Sequence, residues 1–175
     1  MGDIAPSTRH SEGMTSNQTH VTVTRTIDAP AKDLFSLLTL PARHHEFDGS
    51  GTVRNSDDTE RIDKSGEKFV MNMHRDAMGG DYRTHNFVTA YDENKMVGWQ
   101  PAPEADDGTA PVEPLGWEWL YELTSQGADS TEVSLTYDWS KVTDEKLLKQ
   151  VGFPAIPEED LEQSLNLLAA AVTNP

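Results

Sequence analysis

The stretch TIDAPAKDLFSLL, Thr26–Leu38, changes its period in the middle. Before it, Val21, Val23, Arg25 and Ile27 alternate with threonines, the period-two pattern of a strand with one apolar face. After it, Ala31, Leu34, Phe35 and Leu38 recur at i, i+3, i+4 and i+7, the stripe of an amphipathic helix. Pro30 suits a first helical position, and Asp28 is placed to satisfy free N–H groups there. The spacing therefore predicts a strand that runs directly into a helix buried on one face. PARHHEF, from Pro41, predicts a second short helix, ended by Gly49 and Gly51 before a strand from about Thr52 to Ser56.

Beyond that joint the period of two returns in five runs. They are Phe69, Met71, Met73; Tyr82, Thr84, Asn86, Val88; Val97, Trp99; Trp117, Trp119, Tyr121, Leu123; and Val133, Leu135, Tyr137, Trp139. Short turn-rich separators, such as DENK from Asp92 and SQGADS from Ser125, predict neighbouring antiparallel strands in a meander. Pro157 followed by Glu158, Glu159 and Asp160 marks a helix start with acids at the positive dipole end. Leu161, Leu165, Leu168 and Val172 then give that last helix an apolar stripe, which needs a partner surface.

Composition narrows the function classes. The chain has 175 residues and no apolar run of membrane-spanning length, so one domain without membrane insertion is expected. Cysteine is absent, which excludes disulfides, thiolate nucleophiles and thiolate metal sites. A net charge of −16 repels nucleic-acid phosphates, so no nucleic-acid partner is expected. Residues 1–19 are polar and without period, and read as a disordered tail, with Met14 an alternative start. No secretory leader pattern is found at the start, and a cytoplasmic protein is the expectation.

The order of strand, two short helices, about six further antiparallel strands and a long C-terminal helix resembles the START-like, or SRPBCC, superfamily. The carrying segments are VTVTRTIDAPAKDLFSLLTLPARHHEFDGSGTV from Val21, KFVMNM, TAYDENKMVGWQP and LTYDWS, most similar to the polyketide cyclase/dehydrase and lipid transport group. The resemblance runs from about His20 to Val172 and implies one START-like domain over residues 20–175. It implies an α+β helix-grip fold: a curved antiparallel sheet of about seven strands around the last helix, with a hydrophobic cavity between them. A shared fold does not name a reaction.

Connections in a meander alternate between the two ends of the sheet, which groups the segments 47–51, 74–81, 101–115 and 140–156 at one end. The long PAPEADDGTAPVEPL connection, Pro101–Leu115, is read as an entrance rim. Inward positions combine Met71, Met73, Tyr82, Asn86, Trp99, Trp117, Trp119, Tyr121, Tyr137 and Trp139. A plain core favours Leu, Ile and Val, whereas buried indoles and phenols ask for hydrogen-bond partners. The set, apart from Trp139, is assigned to ligand binding, and Thr84 with Asn86 to orienting a polar group.

His44, His45 and Glu46 are adjacent, so their side chains diverge and cannot form an i, i+4 metal pair; no metal and no cofactor is expected. Either histidine, with His45 preferred, is a candidate general base, as are His74, beside Asp76, and Tyr82. His85 is expected to point outward. No nucleotide-binding or hydrolase motif is found. Three readings follow: a binder or carrier of a hydrophobic, lipid-like or polycyclic aromatic molecule; a polyketide cyclase or dehydratase using the same cavity; and an interaction module for a basic protein partner.

Overall fold

The computed structural model describes residues 18–173, so the predicted tail lies outside the described residues except for Gln18 and Thr19. Seven strands form one antiparallel sheet: β1 (His20–Ile27), β2 (Val53–Asn55), β3 (Lys68–Arg75), β4 (Gly80–Asp92), β5 (Met96–Pro103), β6 (Glu118–Gly127) and β7 (Ser130–Asp138). Their spatial order is β1-β7-β6-β5-β4-β3-β2. The two strands consecutive at the N-terminal end thus lie at opposite edges of the sheet. The chain between them must cross the concave face, and it does so as α1 (Ala31–Leu38) and a 3₁₀ helix (Pro41–Phe47). This crossing is what the abrupt strand-to-helix joint serves.

Leu34, Phe35, Leu37 and Leu38 are the buried face of α1, while Ala31 is only partly covered. The N-cap is Pro30, whose carbonyl accepts the Asp33 and Leu34 amides, and no side chain caps the helix. The capping expected of Asp28 is therefore not realised: the helix starts one residue later than the sequence suggests, and Asp28 stays exposed. The joint is instead held from β7, where the fully buried Thr131 hydroxyl donates to the Ala29 carbonyl at 2.8 Å.

The long C-terminal helix, Glu158–Val172, buries Leu161, Ser164, Leu165, Leu168 and Ala171 against the concave side. It packs on the 3₁₀ helix, β1, α1 and β7. One helix was not expected within the segment 140–156. It is α2 (Glu145–Val151), capped by the Asp144 carboxylate, which accepts from Lys146 N and Leu147 N, and closed by Gly152 in the left-handed region. Seven residues are too few for a helical period to be counted, although Asp before and Gly after are the expected start and stop residues. The C-terminal helix is α3.

The segment expected as a loop from Pro101 begins inside β5. Asn86, His85 and Thr84 of β4 pair with Pro101, Ala102 and Pro103, whereas β5 pairs with β6 only from Met96 to Trp99. Proline has no N–H for a second neighbour, so strands β5 and β6 part after Trp99. Residues 104–117 occupy the gap, tied back by Leu115 N donating to the Pro101 carbonyl.

Candidate functional site

The concave face is walled by aromatic rings, and the 3₁₀ helix supplies two of them. Three residues per turn place positions i and i+3 on one side, so His44 and Phe47 both face the sheet. The His44 ring stacks on Trp99 of β5 at 5.1 Å and meets Phe69 of β3 and Phe47 at 5.4 and 5.3 Å. Tyr121 of β6 closes the box, 6.1 Å from Trp99 and 6.2 Å from Phe47.

Among the described residues His44 makes one hydrogen bond: Nε2 lies 2.8 Å from the Leu38 carbonyl. A carbonyl only accepts, so Nε2 carries the proton and Nδ1 is left as an acceptor. Burial pushes the imidazole down to about 4, against the opposing pull of the Leu38 carbonyl and the Asp48 carboxylate, so it is neutral at physiological pH. Burial likewise pushes the Tyr121 phenol up, with a further push from Asp48. Asp48 itself holds the turn into β2, accepting from Ser50 N, Ser50 Oγ and Val53 N.

Several of these buried polar atoms have no hydrogen-bond partner among the described residues. Among the described residues, only His85 Nδ1 is both sealed from solvent and unpartnered. His44 Nδ1, the Tyr121 hydroxyl, the Asn86 amide and the Thr84 hydroxyl also lack partners, although their residues are only 4, 5, 5 and 6% exposed. Each therefore borders space that water can enter. Inward placement of Thr84 and Asn86 agrees with their pairing to Met71 and Phe69, both buried.

A second aromatic group stands at the end of the sheet where β5 and β6 part. Trp119 stacks on Tyr137 at 4.3 Å, and Phe153, from the α2–α3 connection, lies over Trp117, Tyr137 and Trp139 at 5.8, 6.4 and 6.2 Å. The Tyr137 hydroxyl accepts from Ala155 N at 3.3 Å, and burial pushes its phenol up to about 12. Arg75 donates to the Ala155 carbonyl at 3.3 Å, which fixes the same connection to β3. Beside it a groove of about 380 Å³ opens between Ser50–Thr52, Arg54, His74–Asp76 and Ala155–Pro157.

The assigned residues divide accordingly. Met71, Asn86, Trp99, Tyr121 and Tyr137 are buried on the concave side, and Met73, Tyr82, Trp117 and Trp119 are half-buried towards the end where the strands part. His44 and His45 separate: His44 faces the aromatic box and His45 is exposed. His74 alternates with the buried Phe69 and Met71 and so lies on the outer face. Its Nδ1 is hydrogen-bonded to Asp81 at 2.6 Å, and its Nε2 lies 3.4 Å from the exposed Asp76 carboxylate. His85 also lies on the outer face, as expected, yet it is covered, with Nε2 2.8 Å from Glu104. Phe47, Phe69, Phe153 and Asp48 belong to the site and were not singled out from sequence; the three-residue spacing of His44 and Phe47 was the available signal. Among the described residues no group of three or more metal-ligating side chains occurs, and no helix is long and apolar enough to cross a membrane.

No family model matches the chain. It is 34% identical over 119 residues to "Uncharacterized protein Rv0088" of Mycobacterium tuberculosis, a match that covers 67% of this chain and 47% of that protein. The chain thus spans about half the length of the curated relatives it matches. Among solved structures it is similar to protein Ms6760 from Mycobacterium smegmatis, with a TM-score of 0.63 at 16% identity, covering 90% of this chain and 92% of that one. It is similar to the Zhui aromatase/cyclase from Streptomyces sp. R1128, with a TM-score of 0.58 at 16% identity over 88 and 93% of the two chains. A START superfamily protein from Mycobacterium smegmatis gives 0.55 at 15% identity over 89 and 98%. Sheet order, crossing helices and these neighbours agree: the chain has the START-like, α+β helix-grip fold.

Proposed function

We propose that this chain binds a small, largely apolar molecule on the concave side of its sheet, entering where β5 and β6 part. The observation that carries the reading is the set of buried, unpartnered polar atoms bordering accessible space inside aromatic walls. A core built only for stability pairs such atoms or replaces them, because an unmade hydrogen bond costs about 1–3 kcal/mol. A site for a ligand keeps a few polar groups open among apolar surfaces. Hydrophobic, lipid-like and polycyclic aromatic molecules suit those walls. Tryptophan fluorescence titration and native mass spectrometry with fatty acids and aromatic polyketides test the proposal; a saturable one-to-one complex is expected. The absence of any complex and of any change in emission across both classes would count against it.

A second reading is catalysis on the bound molecule, of the cyclase or dehydratase type, in line with the aromatase/cyclase among its structural neighbours. Positioning a flexible chain within such walls itself lowers a barrier. His44 and Tyr82 are the groups with a free polar atom for the acid–base work. Loss of turnover without loss of binding in variants at these two positions favours the enzyme.

A further inference from the structure

The binding reading leaves open what the closed end of the site recognises, and two side chains there define it. His44 Nδ1 is an acceptor with no donor, because its own proton is committed to the Leu38 carbonyl. The Tyr121 hydroxyl is a donor with no acceptor. Both rings lie against the same two neighbours, Trp99 and Phe47. Neither atom is sealed, since His85 Nδ1 alone has that status among the described residues. A ligand group that satisfies both must donate to an imidazole nitrogen and accept from a phenol in a space bounded by rings. A hydroxyl does both with one atom, whereas a ketone or an ether only accepts.

We infer that His44 and Tyr121 form a two-point subsite that receives a hydroxyl group on the ligand, donating to His44 Nδ1 and accepting from the Tyr121 O–H. This rests on the binding reading above and narrows it from an apolar molecule to an apolar alcohol or phenol. The neighbouring Asn86 amide and Thr84 hydroxyl, also unpartnered, lie along the β4 wall, where further polar atoms of the ligand would meet them.

The test uses the full chain and three probes of one shape: benzyl alcohol, benzyl methyl ether and acetophenone, titrated by NMR. The alcohol is expected to bind at least about tenfold more tightly than the ether or the ketone, since each of those leaves the buried His44 nitrogen unpaired. On adding the alcohol, the nitrogen resonance of His44 Nδ1 is expected to move, and the ether is expected to leave it in place. Tyr121→Phe removes one donor without changing shape and should weaken all three probes by a similar factor, because each accepts from that hydroxyl, and leave the alcohol-to-ether ratio near tenfold. His44→Phe removes the acceptor and should bring the alcohol-to-ether ratio to within about threefold where it folds; the resonance measurement on the unaltered protein does not depend on either variant. Equal affinity for alcohol and ether, or a bound alcohol with an unmoved Nδ1 resonance, overturns the subsite while leaving the binding reading intact. Binding of fatty acids or polyketides without any binding of the three probes also overturns it. If nothing binds at all, the binding reading falls as well.

Discussion

The Gly49 amide donates to the Ser164 hydroxyl at 2.8 Å, and Ser164 passes that bond on to the Asp160 carbonyl at 3.2 Å. The turn after the 3₁₀ helix is thereby pressed onto the first turns of α3. A Cβ at position 49 would run into the Asp160 carbonyl and come within 2.7 Å of Ser164 N, both of them backbone that cannot swing aside. Gly49 is required here by this close approach.

Gly49→Ala is accordingly expected to destabilise the fold by about 3 kcal/mol, in the upper range for overpacking. Urea unfolding followed by circular dichroism measures it. A change below about 0.5 kcal/mol would mean that α3 is not seated on this turn.

Thr131→Val tests the joint that begins the crossing. The swap keeps the shape of a fully buried side chain and removes the donor to the Ala29 carbonyl, 2.8 Å away. The loss is expected to be about 1–3 kcal/mol. Hydrogen exchange should show the added opening first in α1 and the end of β1, because that bond extends the β1–β7 ladder to the joint where α1 begins.

Stability should depend on pH through His44. Its imidazole titrates at about 4 in the folded chain against 6.5 when free. As pH falls between those values the unfolded chain takes up a proton that the folded chain refuses, so stability is lost on acidification and the loss from this group is complete below the lower value. The contribution amounts to about 3 kcal/mol. Denaturant midpoints of the unaltered protein and of His44→Phe, compared at about pH 7 and about pH 4.5, isolate it from the carboxylates; the variant should lose less stability on acidification.

His45→Ala and His74→Ala should leave ligand binding within about twofold of the unaltered protein. His45 is exposed, and His74 is on the outer face between Asp76 and Asp81. The same fluorescence titration checks this. A tenfold loss in either variant would place the binding site on the outside of the sheet.

How much was legible in the chain follows from what is local. Alternation at Val21, Val23 and Ile27, the stripe at Leu34, Phe35 and Leu38, and the turn residues after Asp92 and Ser125 are properties of short windows, and each element appears where its window falls. Concave positions such as Trp99, Tyr121 and Tyr137 were readable for the same reason: once a strand's phase is known, its faces are known. The short helix at Glu145–Val151 was not readable, because a period cannot be counted in two turns.

Sequence alone determined the elements other than that short helix, their order and the aromatic character of one face, since these depend on periods within each segment. Only the tertiary structure decided that β1 and β2 lie at opposite edges, that a 3₁₀ rather than an α turn sends His44 inward and His45 out, and that the two prolines part β5 from β6. It alone decided which polar atoms lack partners. Each of those outcomes depends on contacts between residues far apart in the chain, such as His44 with Trp99 and Gly49 with Ser164, and no local period encodes them.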